Sequence, residues 1–273
     1  MMGGGMKGGR RATLPRLGGA AAALGAVMGV MLALLSPERA AADETTLCAV
    51  PDALDFSEAE LVNVAARLKA GEEVRIVVVG TASSAGTGLV APLRPYPDRI
   101  AGELAKQFPK GRFAIANLSS RGMLATAMLA RIEQDVLPGN PALVIWQTGT
   151  VETVHGTDID AFGDTLESGL STLRGHGSDV ILMDMQYSSQ TSTLVDPSPY
   201  RDVMRWIARA QSVMLFDRFA FMRYWEETGL IDFTSPLKTD QARSDNLVHG
   251  CIAELLAEMI AKGVARAEES MRN

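Results

Sequence analysis

Five short apolar runs, at residues 74–79, 113–117, 143–148, 180–184 and, more weakly, 213–216, set the tightest limit on what this chain can fold into. They are too short for ordinary helices, and the first, Val74-Arg75-Ile76-Val77-Val78-Val79, is β-branched and stops at Gly80, as a buried strand entering a turn does. Segments around 97–108, 123–137, 158–174 and 200–211 carry apolar residues at helical spacing instead. Another helix is predicted after Ser57-Glu58-Ala59-Glu60, a capping box whose following Leu61, Val64, Ala65 and Leu68 share one face, and a last one from about residue 249 to 267. Strands without polar alternation, separated by amphipathic helices, make a parallel sheet covered on both faces and joined by right-handed crossovers. The expected fold is a doubly wound α/β sandwich.

In such sheets ligands sit beyond the carboxyl ends of the strands, so the residues just after each run are where chemistry is to be sought. Loops are predicted at 80–88, 118–122 and 149–155, with longer irregular stretches at 187–199 and 228–248. Trp146, inside an apolar strand, reads as core. Gln147 and Thr148 alternate with it, so one of them faces the floor of a cleft.

The N-terminus has a separate purpose. A basic stretch, an uncharged run from 17 to 37 and Ala40-Ala41-Ala42 before Asp43 predict an export signal over 1–42 and one domain over 43–273. Arg10-Arg11 gives it a twin-arginine flavour, and the apolar run is also long enough to stay as a membrane anchor. Both variants put the domain in the periplasm or outside the cell. Residues 1–42 hold five Lys or Arg against one acid, so the remaining 231 residues carry a formal charge of −10. That acidic body, without a basic cluster, excludes a nucleic-acid binder. With 47% hydrophobic against 21% charged residues it can bury a real core. Cys48 and Cys251 are its two cysteines, and an oxidising compartment predicts a bond between them, two buried free thiols being the alternative. No metal-ligand cluster accompanies either, and no cofactor is implied.

Gly80-Thr81-Ala82-Ser83-Ser84-Ala85-Gly86 after the first strand, Asn117 to Gly122 after the second, Trp146 through Glu152 after the third, and a late His249 resemble in order the four blocks of SGNH/GDSL hydrolases. The resemblance spans roughly 74–262. It implies a flavodoxin-like three-layer α/β/α sandwich with a five-stranded parallel sheet, and the activity of an esterase, lipase or carbohydrate acetyl esterase. In that family the serine nucleophile is in the first block, the oxyanion donors are its amide, a second-block glycine and a third-block asparagine, and an acid lies three residues before the histidine. Transferred to this sequence, the nucleophile position is Ala82, the asparagine position after Gly149 is Val151, and the acid position is Asn246. Gly122 and His249 match. An alanine cannot attack a carbonyl, a valine cannot donate to an oxyanion, and an asparagine cannot stabilise imidazolium by charge.

Substitutes stand close by. Ser83 or Ser84 could attack, although one step along a tight turn redirects the side chain by about 100°, and Ser84 could instead cap a following helix. Asp245 could orient His249 in place of Asn246. His155 could face the same cleft, and His176, between two glycines, reads as turn chemistry. Three functions follow. The adopted one is an exported, catalytically impaired SGNH-like protein that binds an acylated carbohydrate or a partner protein in the family cleft. The alternatives are an active ester hydrolase or acyl transferase using Ser83 or Ser84 with His249, and a phosphate-binding module built on the 80–88 turn.

Overall fold

A computed structural model describes residues 48–51, 58–189 and 194–273. Its sheet has five parallel strands, β1 Glu73–Val79, β2 Arg112–Asn117, β3 Leu143–Gln147, β4 Asp179–Met183 and β5 Met214–Phe216, in the order β2-β1-β3-β4-β5. Every residue of β3 and β4 is buried, which is why their sequences run apolar without alternation. Val78 of β1 pairs with Asn117 on one side and Ile145 on the other, fixing the central register.

Successive β residues point to opposite faces and build two cores. Ile76, Val78, Ile145, Ile181 and Met183 face one helical layer, formed by α1 Val62–Lys69, α2 Pro97–Gln107 and the long C-terminal helix α8 Lys238–Ser270. Val77, Val79, Val144, Trp146 and Leu182 face the other, formed by α3 Ala125–Arg131, α5 Ile159–Gly175 and α6 Ser198–Ala210. The short helices α4 Thr150–His155 and α7 Arg218–Glu227 start at the carboxyl ends of β3 and β5. Trp146 is core as expected: fully buried, it packs so tightly on α5 that a Cβ at Gly169 would collide with its ring.

The strands fall within two residues of their predicted bounds. The helices depart in five places, one of them α7, a helix that no expectation covered. The segment 123–137 is not one α-helix: after α3 it widens into a π turn, Ile132–Val136, then tightens into a 3₁₀ turn, Leu137–Gly139. The first helix starts at Val62 with Leu61 as its cap and no side-chain capping bond, so the predicted box does not open it; Ser57 lies outside the described residues. Residues 149–155, predicted as a loop, include α4, and α8 begins eleven residues before His249, inside the stretch predicted to be irregular. That part of α8 is polar, so apolar periodicity is silent there, but it contains no proline or glycine to stop a helix.

Cys48 and Cys251 are joined by a disulfide, their Cα atoms 5.0 Å apart. The predicted export signal lies outside the described residues. Among the described residues no helix is long and apolar enough to cross a membrane.

Candidate functional site

In a sheet of order 2-1-3-4-5 the crevice opens where β1 and β3 send their connections to opposite faces. Here that point is packed with polar side chains. Gln147, last residue of β3, turns its Oε1 toward the turn after β1 and accepts from the Thr81 amide at 2.8 Å, Thr81 Oγ1 at 3.0 Å and Ser84 Oγ at 3.1 Å. Ser84 Oγ is also 2.8 Å from the Tyr96 hydroxyl. One proton order fits: Tyr96 donates to Ser84, and Ser84 donates to Gln147. Burial pushes the Tyr96 phenol up to about 12, which keeps its proton in place. Gly80 is required here, since a Cβ would sit 2.6 Å from Ser84 Oγ and 2.9 Å from Gln147 Oε1. Gln147 Nε2 is buried with no partner among the described residues.

Ser84 therefore neither caps a helix nor reaches His249. Tyr96, immediately before α2, stands between them: its ring lies near-parallel to the imidazole at 6.2 Å, and its amide donates to His249 Nδ1 at 3.1 Å. A nitrogen that accepts a backbone N–H carries no proton of its own, so the neutral ring holds its proton on Nε2. A serine-activating base needs the opposite tautomer, with Nδ1–H on a carboxylate and Nε2 free to accept. Burial, reinforced by the positive charges of Arg218 and Arg99, drops the His249 pKa to about 3. The acid position contributes nothing to correct this. Asn246 is exposed, and Arg99 holds its Oδ1 at 3.0 Å and its backbone carbonyl at 3.1 Å. Asp245, half-buried on α8 with its carboxyl raised by burial, makes no bond to His249.

Ser83, partly exposed beside Ala82, points elsewhere. Its Oγ accepts from Arg218 Nη1 at 2.6 Å. Arg218 opens α7 and is only 1% exposed. Burial lowers its guanidinium pKa, with Tyr96 and Asp184 acting the other way.

The second and third blocks are held by backbone contacts. Asn117 donates to the Ser84 carbonyl at 2.8 Å and accepts from the Ser119 amide, tying the second block to the first. Gly122 adopts φ +75° on the exposed surface with open space at its α-carbon. Gly149, at φ +95°, gives its amide to Glu152 Oε2 at 2.9 Å, while Glu152 Oε1 accepts the Ala125 amide that begins α3. Val151 is partly buried on α4 and brings no donor. His155 is exposed, and so is His176, whose ring bonds the Thr172 carbonyl within its own turn.

A second buried polar cluster lies at the ends of β4 and β5. Asp184 accepts Arg201 Nε at 2.9 Å and the Phe219 amide at 2.9 Å; Asp217 accepts Arg201 Nη2 at 2.8 Å, Arg205 Nη2 at 2.7 Å and the Ala220 amide at 3.0 Å. Arg201 lies 4.0 Å over the Phe219 ring. Burial works against the charge on Asp217, but Arg201 and Arg205 outweigh it and hold the carboxyl below its ordinary value. Burial, and then the neighbouring Asp217, push Asp184 upward. Among the described residues no group of His, Cys, Asp or Glu is placed to hold a metal ion.

Tyr96, Arg99 and Arg218 are the site residues that sequence reasoning missed, while Glu152 entered it only as the end of the third block, without a role. Arg218 lay within reach of the rule already in use, because it follows the end of β5 by two residues. Tyr96 announces itself only as the residue before Pro97, a helix-start signal rather than a site signal.

A model of the Non-GDSL lipase-like family matches residues 47–266. Among curated proteins none matches. An acetylxylan esterase from Geobacillus stearothermophilus shares the fold at 18% identity and TM-score 0.55, over 68% of this chain and 94% of its own. TesA does so at 19% and 0.53, over 71% and 99%, and LAE5, an α/β hydrolase enzyme from the metagenome of Lake Arreo, Spain, at 19% and 0.54, over 70% and 95%.

Proposed function

Because the chain belongs to the Non-GDSL lipase-like family, we propose that it is a non-hydrolysing member that keeps the esterase fold as an exported binding module for an acylated carbohydrate. One observation carries the reading: His249 Nδ1 is occupied by the Tyr96 amide. Replacing the family nucleophile by Ala82 removes the attacking group, but the histidine geometry removes the base as well, so a neighbouring serine cannot take over by a small shift. Ser84 is buried between Tyr96 and Gln147, and Ser83 is bonded to a cation rather than to a base. The sugar class is supported by the acetylxylan esterase that shares the fold, and the compartment by the basic, apolar and Ala-Ala-Ala sequence of residues 1–42.

The test pairs two measurements on the full chain: hydrolysis of 4-nitrophenyl acetate and acetylated xylooligosaccharides, and calorimetric titration with the same oligosaccharides. Binding heat without turnover is the expected result. Ala82→Ser recovers at most weak activity, because the new serine meets a histidine of the wrong tautomer without an acid behind it. Turnover by the native protein that Ser83→Ala or Ser84→Ala abolishes overturns the proposal.

A further inference from the structure

We propose that Arg218 receives the carboxylate of an acidic ligand, so that the molecule held at the end of β1 is an acid or an acidic sugar rather than a neutral ester. This deepens the binding reading above and rests on it. The guanidinium is 1% exposed, and among the described residues its five N–H groups make one hydrogen bond, from Nη1 to Ser83 Oγ. Nε has no partner. Arg201, comparably enclosed, spends the same donors on carboxylates: its Nε on Asp184 and its Nη2 on Asp217. The edge formed by Nε and Nη2 is the one that grips a carboxylate through two parallel bonds, and in Arg218 that edge is unused.

Its surroundings fit the same ligand. The bond to Ser83 fixes the guanidinium beside Ala82, and because Ser83 Oγ accepts, the hydroxyl proton remains available to a second acceptor. The amides of Ala82, Ser83 and Ser84 donate to no acceptor among the described residues. Among the described residues no acid is bonded to it: Asp184, the carboxylate whose charge reaches it, is committed to Arg201 and the Phe219 amide, and His249 is a neutral ring. In a body of formal charge −10, this turn is a local concentration of donors without an acceptor. A guanidinium is buried so fully without a carboxylate bonded to it only at a cost in solvation that a bound carboxylate would offset.

The experiment titrates the full chain with acetate, glucuronate, inorganic phosphate and a neutral acetylated xylooligosaccharide, read by calorimetry and by the shift in melting temperature. Binding of a carboxylate supports the proposal: acetate as well as glucuronate identifies a free acid as sufficient, and glucuronate alone identifies the acidic sugar. Arg218→Met is expected to weaken that binding about ten-fold or more, the equivalent of losing a charge-assisted pair. Should Arg218→Met fail to fold, Arg218→Lys keeps the charge but not the fork, and undiminished carboxylate affinity in that variant overturns the proposal. Phosphate binding more tightly than both carboxylates also overturns it. If the neutral oligosaccharide binds and neither carboxylate does, this inference fails while the binding reading stands; if nothing binds, both fail.

Discussion

Two buried polar clusters sit at the carboxyl edge of one sheet, and they are organised on opposite principles. At β4 and β5 every charge is matched: Arg201 bridges Asp184 and Asp217, Arg205 takes the second oxygen of Asp217, and backbone amides satisfy what is left. At β1 and β3 the bonded groups are neutral, with Gln147, Ser84, Tyr96 and His249 linked in sequence; of the two cations beside them Arg99 is spent on Asn246, and Arg218 has no carboxylate bonded to it among the described residues. Equal burial thus conceals unequal purpose. The first cluster closes on itself and joins α6 and α7 to the sheet; the second is left open at one cation and at the amide nitrogen of Gln147.

The comparison breaks most visibly at Arg201. Arg201→Ala leaves Asp184 and Asp217 close together without their shared cation, and an equilibrium urea unfolding curve is expected to lose about 3–5 kcal/mol. A loss below about 1 kcal/mol would mean that the pairs are not what holds this corner.

Acid separates the clusters next. The folded-state pKa of His249 lies at about 3, below its ordinary 6.5, so its neutral form stabilises the fold above pH 6.5, and this contribution is lost as pH falls through that window toward 3. The depressed carboxyl of Asp217 has the same sign but acts lower, below the ordinary carboxylate range, whereas the raised carboxyl of Asp184 works in the opposite sense, its contribution fading as pH rises. His249→Asn, whose Oδ1 can still accept the Tyr96 amide, isolates the contribution of the histidine. Stability measured against pH should fall in the wild type faster than in the variant, by up to about 1.4 kcal/mol per pH unit. Parallel curves would show that His249 is not held neutral.

Ser84→Ala is a smaller perturbation. It removes the link between Tyr96 and Gln147 and should cost about 1–2 kcal/mol by chemical denaturation, without creating or abolishing ester hydrolysis. The smallest expected effect belongs to Arg218→Met, near zero or stabilising by about 1 kcal/mol, because an unmatched cation is replaced by an apolar chain of similar length. The opposite sign at Arg201 and Arg218 is the sharpest statement of the contrast. A loss of about 3 kcal/mol or more at Arg218 would erase it.

The sheet was legible because buried parallel strands write themselves as continuous apolar runs, and β3 and β4 are buried on every residue. The positions of Ala82, Val151 and Asn246 in the blocks were equally legible, since they follow from strand ends. What the sequence withheld was the filling of the crevice. Tyr96 reaches His249 through its amide and Ser84 through its hydroxyl, contacts 153 and 12 residues apart along the chain. Neither leaves a periodic or motif signal, for a backbone donor has the same appearance at every residue. The polar start of α8 escaped for a related reason: a helix with few apolar residues is stabilised by its continuation into the buried part, not by a pattern of its own.

The disulfide gives the molecule a topology that outlasts its packing. With Cys48 bonded to Cys251, the chain closes into one covalent ring of 203-residue separation that contains all five strands and the helices α1 to α7. A protease that severs any single loop within the ring leaves two pieces still joined by the disulfide instead of releasing a fragment. Both halves of the sheet stay tethered through α8 and free to re-form, and separation of the pieces requires a reductant as well as a cut.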